Sequence, residues 1–162
     1  MKLVRSVSNY TRSSVKKDKD RIYIFTDNCD RTSGKNKISK DSSYLKRFKK
    51  DEACYPSVTS AIIRGLENAY PVTTCKAYSK TQYNRLWTDD DFNEFKKIID
   101  KDFEEIKKAC IEKEPKEIIF PIRGILNGNY SKITYDRTPT LYFYIIKKEM
   151  ELRDFEIKDI EK

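Results

Sequence analysis

Apolar residues in this chain fall into short blocks separated by long polar stretches, and the period changes from block to block. Ile22, Tyr23, Ile24 and Phe25, and later Ile118, Ile119 and Phe120, form compact runs too short for helices. They predict buried strands over residues 21–25 and 117–120. Pro71-Val72-Thr73-Thr74 predicts a further short strand. Val58, Ala61, Ile62, Gly65, Leu66 and Ala69 keep one face at helical spacing behind Pro56 and a capping Ser57. That spacing predicts a helix over 57–69. Thr88-Asp89-Asp90-Asp91 is a helix start, with a cap, a carboxylate at the third position and acidic charge at the positive helix end. Phe92, Phe95, Ile99, Phe103, Ile106 and Cys110 then continue one apolar face to about residue 112, before Pro115. Thr138 and Pro139 open the last helix, whose face is Leu141, Ile145 and Leu152. Tyr44 to Phe48 reads as a short helix. The alternation of strand and helix predicts an α/β fold of three layers around a mostly parallel central sheet.

This patterning places a single domain at 21–152. Residues 1–20 alternate only weakly and read as a basic arm, or as a short edge strand that orders on docking. The charged stretch 153–162 reads as a fraying tail. A chain of 162 residues suits one domain with a sizeable core. No apolar run approaches the roughly 18 residues that span a bilayer. The basic N-terminus lacks the apolar stretch of a secretion signal. A cytoplasmic protein without membrane contact is the expectation.

Composition narrows the chemistry. There is no histidine, and the four cysteines at 29, 54, 75 and 110 make no C-x-x-C pair. Free thiols, no metal site and no cofactor are expected. Without histidine, the usual base near neutral pH is missing, and acid–base work falls to Asp, Glu, Cys, Tyr or Lys. The cluster Asp89-Asp90-Asp91 is explained by helix capping rather than by metal binding. The net charge of +8 is uneven: residues 1–50 carry 15 basic against 5 acidic side chains. Lys16, Lys17, Lys19, Arg21 and Lys46, Arg47, Lys49, Lys50 form clusters, with Tyr10, Tyr23 and Tyr44 nearby. Such a stretch suits a polyanion or a host-protein partner, and equally a solvated basic face.

Candidate binding residues gather where the two apolar strands end. The first strand runs into Thr26-Asp27-Asn28 and on to Arg31, Ser33 and Gly34; the later one runs through Pro121 into Arg123, Gly124, Asn127, Gly128 and Asn129. Three of only four glycines lie in these two passages. In a glycine-poor chain this marks sharp turns or close approach of a ligand. The start of the 57–69 helix, with Ser57, Thr59 and Ser60, is a third candidate, as an anion site.

These stretches resemble small uncharacterised phage proteins of a macro-like or SLOG-like Rossmannoid type. The shared order is Phe25-Thr26-Asp27-Asn28, then Ile63-Arg64-Gly65-Leu66-Glu67-Asn68-Ala69, Pro71-Val72-Thr73-Thr74, Phe120-Pro121-Ile122-Arg123-Gly124-Ile125-Leu126-Asn127-Gly128 and Thr138-Pro139. The resemblance spans about residues 21–152 and implies a Rossmannoid domain with an ADP-ribose-type site between the two loops. It implies that Asp27 and Asn28 meet the base or ribose end. Gly124, Asn127, Gly128 and Asn129 would wrap phosphates through backbone N–H groups, and Arg64 and Arg123 would supply charge. Thr26 stands where the broader group has glycine, and Arg123 and Asn127 interrupt its late glycine pattern.

Three functions follow as expectations. The first is a phage protein that binds and sequesters a phosphate-bearing, nucleotide-derived immune signal, ADP-ribose-like or cyclic, without turnover. The second is a hydrolase on the same scaffold, with Asp27 as its acid–base group. The third is a nucleic-acid-binding or host-protein-binding module built on the basic N-terminal third.

Overall fold

A computed structural model describes residues 1–29, 60–76, 86–126 and 132–155. Within them the chain forms β1 (Leu3–Arg5), α1 (Arg12–Lys17), β2 (Arg21–Asn28), a 3-10 turn (Ser60–Ile63) and β3 (Ala69–Cys75). A second 3-10 turn (Asp89–Asp91), α2 (Phe92–Lys113), β4 (Glu117–Phe120) and α3 (Pro139–Asp154) follow. The four strands make one sheet in the order β1-β4-β2-β3, and every pairing is parallel. The two apolar strands lie side by side at its centre, with Arg21 opposite Glu117 and Tyr23 opposite Ile119.

Alternation along β2 explains the layering. Ile22 and Ile24 join Ile118 and Phe120 under α2 and α3, against Trp87, Phe95, Ile99, Phe103, Ile106, Leu141 and Ile145. Phe25 joins Ile119, Tyr10, Val15, Ala61 and Ile63 on the opposite face, beneath α1 and the first 3-10 turn. A strand buried on both faces needs apolar residues at nearly every position, which is what residues 22–25 supply. The result is a three-layer Rossmannoid α/β domain. No helix among the described residues is long and apolar enough to cross a membrane.

Several boundaries differ from the sequence reading. β2 runs on through Thr26, Asp27 and Asn28, so these residues are strand rather than loop, and β3 spans 69–75 rather than 71–74. The helix expected over 57–69 is not formed over its described part: a four-residue 3-10 turn stands at Ser60–Ile63, and Ala69 already belongs to β3. Gly65 takes a φ of +87°, which breaks a helix, and short-range bonds from Leu66 N–H to Ile63 C=O and from Ala69 N–H to Leu66 C=O keep the chain turning. The Asn68 amide then donates to the carbonyls of Val15 (2.8 Å) and Asp18 (2.7 Å), tying this segment to the end of α1.

Of the two readings of residues 1–20, the short edge strand is the one formed, and it belongs to the domain rather than lying outside it as an arm. β1 pairs with β4, and α1 covers one face of the sheet. At the start of α3, the Thr138 hydroxyl accepts from Thr134 N–H instead of capping the helix. The Asp89 carboxylate replaces it, accepting from Thr140 and Leu141 N–H at 3.3 Å each. The expected short helix at 44–48 and the end of the charged tail lie outside the described residues; Arg153 and Asp154 complete α3.

Candidate functional site

Parallel strands deliver their C-terminal ends to one edge of the sheet, so the two passages singled out in the sequence end side by side. The hydrogen-bonded register between β2 and β4 reaches Tyr23–Ile119 and goes no further among the described residues. Beyond it β2 continues in register with β3 to Asn28, and β4 continues with β1 to Phe120. The hydroxyl of Tyr10 stands at this fork, 2.9 Å from the carbonyl of Ile24 and 3.2 Å from that of Ile119. Burial, and then the neighbouring Tyr23, hold its phenol well above the usual range. Tyr10 thus stays a neutral donor where the ladder parts.

The next described elements after these two strands pack on opposite faces of the sheet. After β4 the next helix, α3, packs on the face formed by Ile22, Ile118 and Phe120. After β2 the next described element, the Ser60–Ile63 turn, packs on the face of Phe25 and Ile119. Neighbouring parallel strands followed by elements on opposite faces leave a crevice at their carboxyl ends, the usual place for a ligand in open α/β sheets.

The β2 wall spends its charge internally. Asp27 and Arg64 are both buried and form a two-pronged pair, Arg64 Nε to Oδ2 at 2.9 Å and Nη2 to Oδ1 at 2.5 Å. Asp27 Oδ1 also accepts from Asn28 N–H at 2.9 Å. The carbonyl of Arg64 in turn accepts from the buried Arg12, which also donates to Ile62 C=O, each at 2.9 Å. Arg64, expected to supply phosphate charge, therefore faces Asp27, and both carboxylate oxygens of Asp27 are engaged. Thr26 N–H donates to Ser60 Oγ at 3.0 Å. Ser60 opens a 3-10 turn and holds the β2 end in place, while Ser57 and Thr59 of the same expected anion site lie outside the described residues.

The β4 wall presents its charge outward. Pro121 to Gly124 make a tight turn closed by Gly124 N–H to Pro121 C=O at 2.7 Å. Gly124 has a φ of +73°, a left-handed conformation that disfavours side chains. The Arg5 guanidinium occupies the space a side chain would need, its Nη2 3.1 Å from the site of a Cβ. Arg123 is exposed and has no ion-pair partner among the described residues. Arg5 also lies close enough to Glu149 to act on it: burial raises that carboxyl, and Arg5 and Arg153 pull it back down.

The structure thus brings together Thr26, Asp27, Asn28, Ser60 and Arg64 on one side, and Arg123 and Gly124 on the other. Arg31, Ser33, Gly34, Ser57, Thr59, Asn127, Gly128 and Asn129 lie outside the described residues. Sequence reasoning missed Arg5 and the bridging role of Tyr10. Neither has a local signal, because Arg5 is placed by strand pairing with Phe120 and Tyr10 by its hydroxyl on the carbonyls of Ile24 and Ile119, all distant in sequence. The acidic cluster is occupied structurally: Asp89 caps α3, and Asp91 forms a capping box with Thr88 and an ion pair with Lys76 at 2.8 Å.

No curated protein matches the chain, and no solved structure does either. A family of unknown function, DUF7831, matches residues 5–148, from the last residue of β1 well into α3. With that span covering both walls of the crevice and the whole sheet apart from its first two residues, the chain belongs to the family of unknown function DUF7831.

Proposed function

We propose that this protein binds a phosphate-bearing nucleotide derivative, ADP-ribose-like or cyclic, in the crevice between β2 and β4, and holds it without turning it over. The observation that supports this reading is that β2 and β4 end side by side at the sheet centre and are followed, among the described residues, by elements on opposite faces, with Arg123 and the Arg5-covered Gly124 turn at the end of β4. The outward guanidinium of Arg123 suits phosphate oxygens, which take forked, charge-assisted bonds from arginine. Gly124 leaves room beside its backbone that the Arg5 guanidinium fills, which sets a second cation at the turn. The resemblance to macro-like and SLOG-like phage proteins points to the same ligand class and to sequestration of a host immune signal.

Binding is favoured over hydrolysis by the state of Asp27. A general base needs a free oxygen within reach of water, and both of its oxygens are held in the buried pair with Arg64. The reading of a polyanion-binding surface is weakened in its N-terminal part. Arg12 is buried on backbone carbonyls, Arg21 pairs with Glu117 at 2.8 Å and Asp18 at 3.4 Å, and Lys2 pairs with Glu117 at 3.4 Å. That leaves Lys16, Lys17 and Lys19 as its described basic cluster.

Native mass spectrometry of the purified chain with ADP-ribose and a panel of cyclic oligonucleotides tests the proposal. A retained mass is expected, and the ligand released on denaturation is expected to be chemically intact. Release of a cleaved product would favour the hydrolase reading. No retained mass across the panel, with binding of a nucleic acid instead, would favour the basic surface.

A further inference from the structure

The two edges of the sheet are finished differently. At β3 the outward backbone groups of Thr73 are covered: its N–H donates to Asp102 Oδ2 at 2.8 Å, and its carbonyl accepts from Trp87 Nε1 at 3.2 Å. Side chains thus block further strand pairing on that edge. At β1, Ile118 N–H donates to Lys2 C=O at 3.0 Å and Ser6 N–H to Phe120 C=O at 2.9 Å. In a parallel ladder this phase turns the backbone groups of Val4 toward β4 and those of Leu3 and Arg5 away from it. No hydrogen bond from another described residue reaches these four outward groups.

From this we infer that β1 is a docking edge for a second copy of this chain, paired antiparallel about a two-fold axis through Val4. The spacing is self-complementary. Leu3 of one copy faces Arg5 of the other, and each such pair exchanges two N–H···O bonds, making four in all. Val4 meets its own symmetry mate. Arg5 lies beside the partner's leucine, so the two guanidinium groups are offset rather than opposed. An axis through Val4 makes the interface isologous, the commonest arrangement for oligomers.

The flank of α3 beside this edge fits a second copy as well. The ammonium of Met1 donates to the carbonyls of Arg153 (2.9 Å) and Phe155 (3.2 Å), which sets the end of α3 over the start of β1. Ile146 lies three residues before Glu149 and seven before Arg153, on the same flank, and the adjacent Met150 is exposed. A two-fold pairing of the edges brings this apolar strip toward its counterpart. The dimer would join two sheets into one of eight strands.

Sedimentation velocity of the full chain over a concentration series, with two variants, tests this. Leu3→Pro removes the outward N–H while leaving the bonds to β4 intact, and proline is tolerated on sheet edges. It removes two of the four bonds and is expected to raise the dimer dissociation constant about 30-fold. Val4→Cys reads the register directly. Non-hydrogen-bonded antiparallel partners have Cα atoms about 4.5 Å apart, within disulfide range. Under diamide, Val4→Cys should give a cross-linked dimer, while the native chain and Ser8→Cys do not. A chain that stays monomeric at every concentration would overturn the inference. So would a dimer in which Val4→Cys fails to cross-link, whatever the folding state of Leu3→Pro.

Discussion

The ends of β2 and β4 lie side by side and carry similar residues, yet they use charge in opposite ways. At the β2 end, Asp27 and Arg64 neutralise each other out of water, and Arg12 braces the backbone behind them. At the β4 end, Arg123 is exposed, and Arg5 is laid over a glycine turn. The difference follows from burial. A buried charge must find a partner within the protein, so it shapes the fold; an exposed arginine at a crevice keeps its donors available for a ligand. The crevice therefore has one wall whose charge is neutralised inside the protein, the rigid wall, and one exposed wall.

The sharpest way to break this contrast is to unpair the rigid wall. Arg64→Ala removes the two-pronged guanidinium bond to the buried Asp27 carboxylate and is expected to destabilise the protein by about 3–5 kcal/mol. Urea unfolding followed by circular dichroism measures this. Replacing both members, as Asp27→Leu with Arg64→Met, is expected to recover most of the loss, because the penalty belongs to the unpaired charge. A loss in the double variant as large as in Arg64→Ala would place the stabilisation elsewhere.

The exposed wall should respond less. Gly124→Ala forces a side chain into the left-handed region and against Arg5, at an expected cost of about 1–2 kcal/mol. The same unfolding experiment should show a smaller shift than Arg64→Ala, and the Arg5 guanidinium should leave its place. A neutral Gly124→Ala would mean that the turn relaxes and does not fix Arg5.

The smallest effect concerns the end of β3, where Lys76 and Asp91 also spend their charge within the protein. Burial pushes the Asp91 carboxyl up, but bonds from Lys76 and Thr88 outweigh it and hold it below the ordinary range. A carboxyl lowered in the folded state contributes stability above its unfolded pKa, and that contribution is lost as pH falls through the folded value. The capping box at the start of α2 should therefore weaken only below about pH 4. Comparing native and Asp91→Asn protein in acid should show the two stability curves converging there. Curves that stay parallel would remove Asp91 from the acid response.

Much of the fold was legible because burial leaves strong periodic traces. Residues 22–25 and 118–120 read as central strands, and Phe95 through Cys110 read as a helix facing the core. The failures share one cause, namely partners distant in sequence. Ala61, Ile62 and Leu66 keep helical spacing, but Gly65 and the pull of Asn68 on α1 turn that stretch instead. Residues 1–20 read equally as an arm or as an edge strand, because pairing of Leu3 with Ile118 has no local signature to decide between them. Arg64 looks like a phosphate ligand until Asp27 is placed beside it. At the crevice, glycine placement located the turn at Gly124, whereas Tyr10 and Arg5 became visible only through the sheet.

Titration calorimetry with ADP-ribose, extended to cyclic oligonucleotides, measures directly which wall a ligand touches. A charge-assisted bond contributes roughly 1.5–3 kcal/mol, so Arg123→Ala should weaken binding about 10- to 100-fold with an unchanged melting temperature. The Asp27→Leu, Arg64→Met double variant should bind as the native chain does. Undiminished binding by Arg123→Ala, or loss confined to the double variant, would contradict the account.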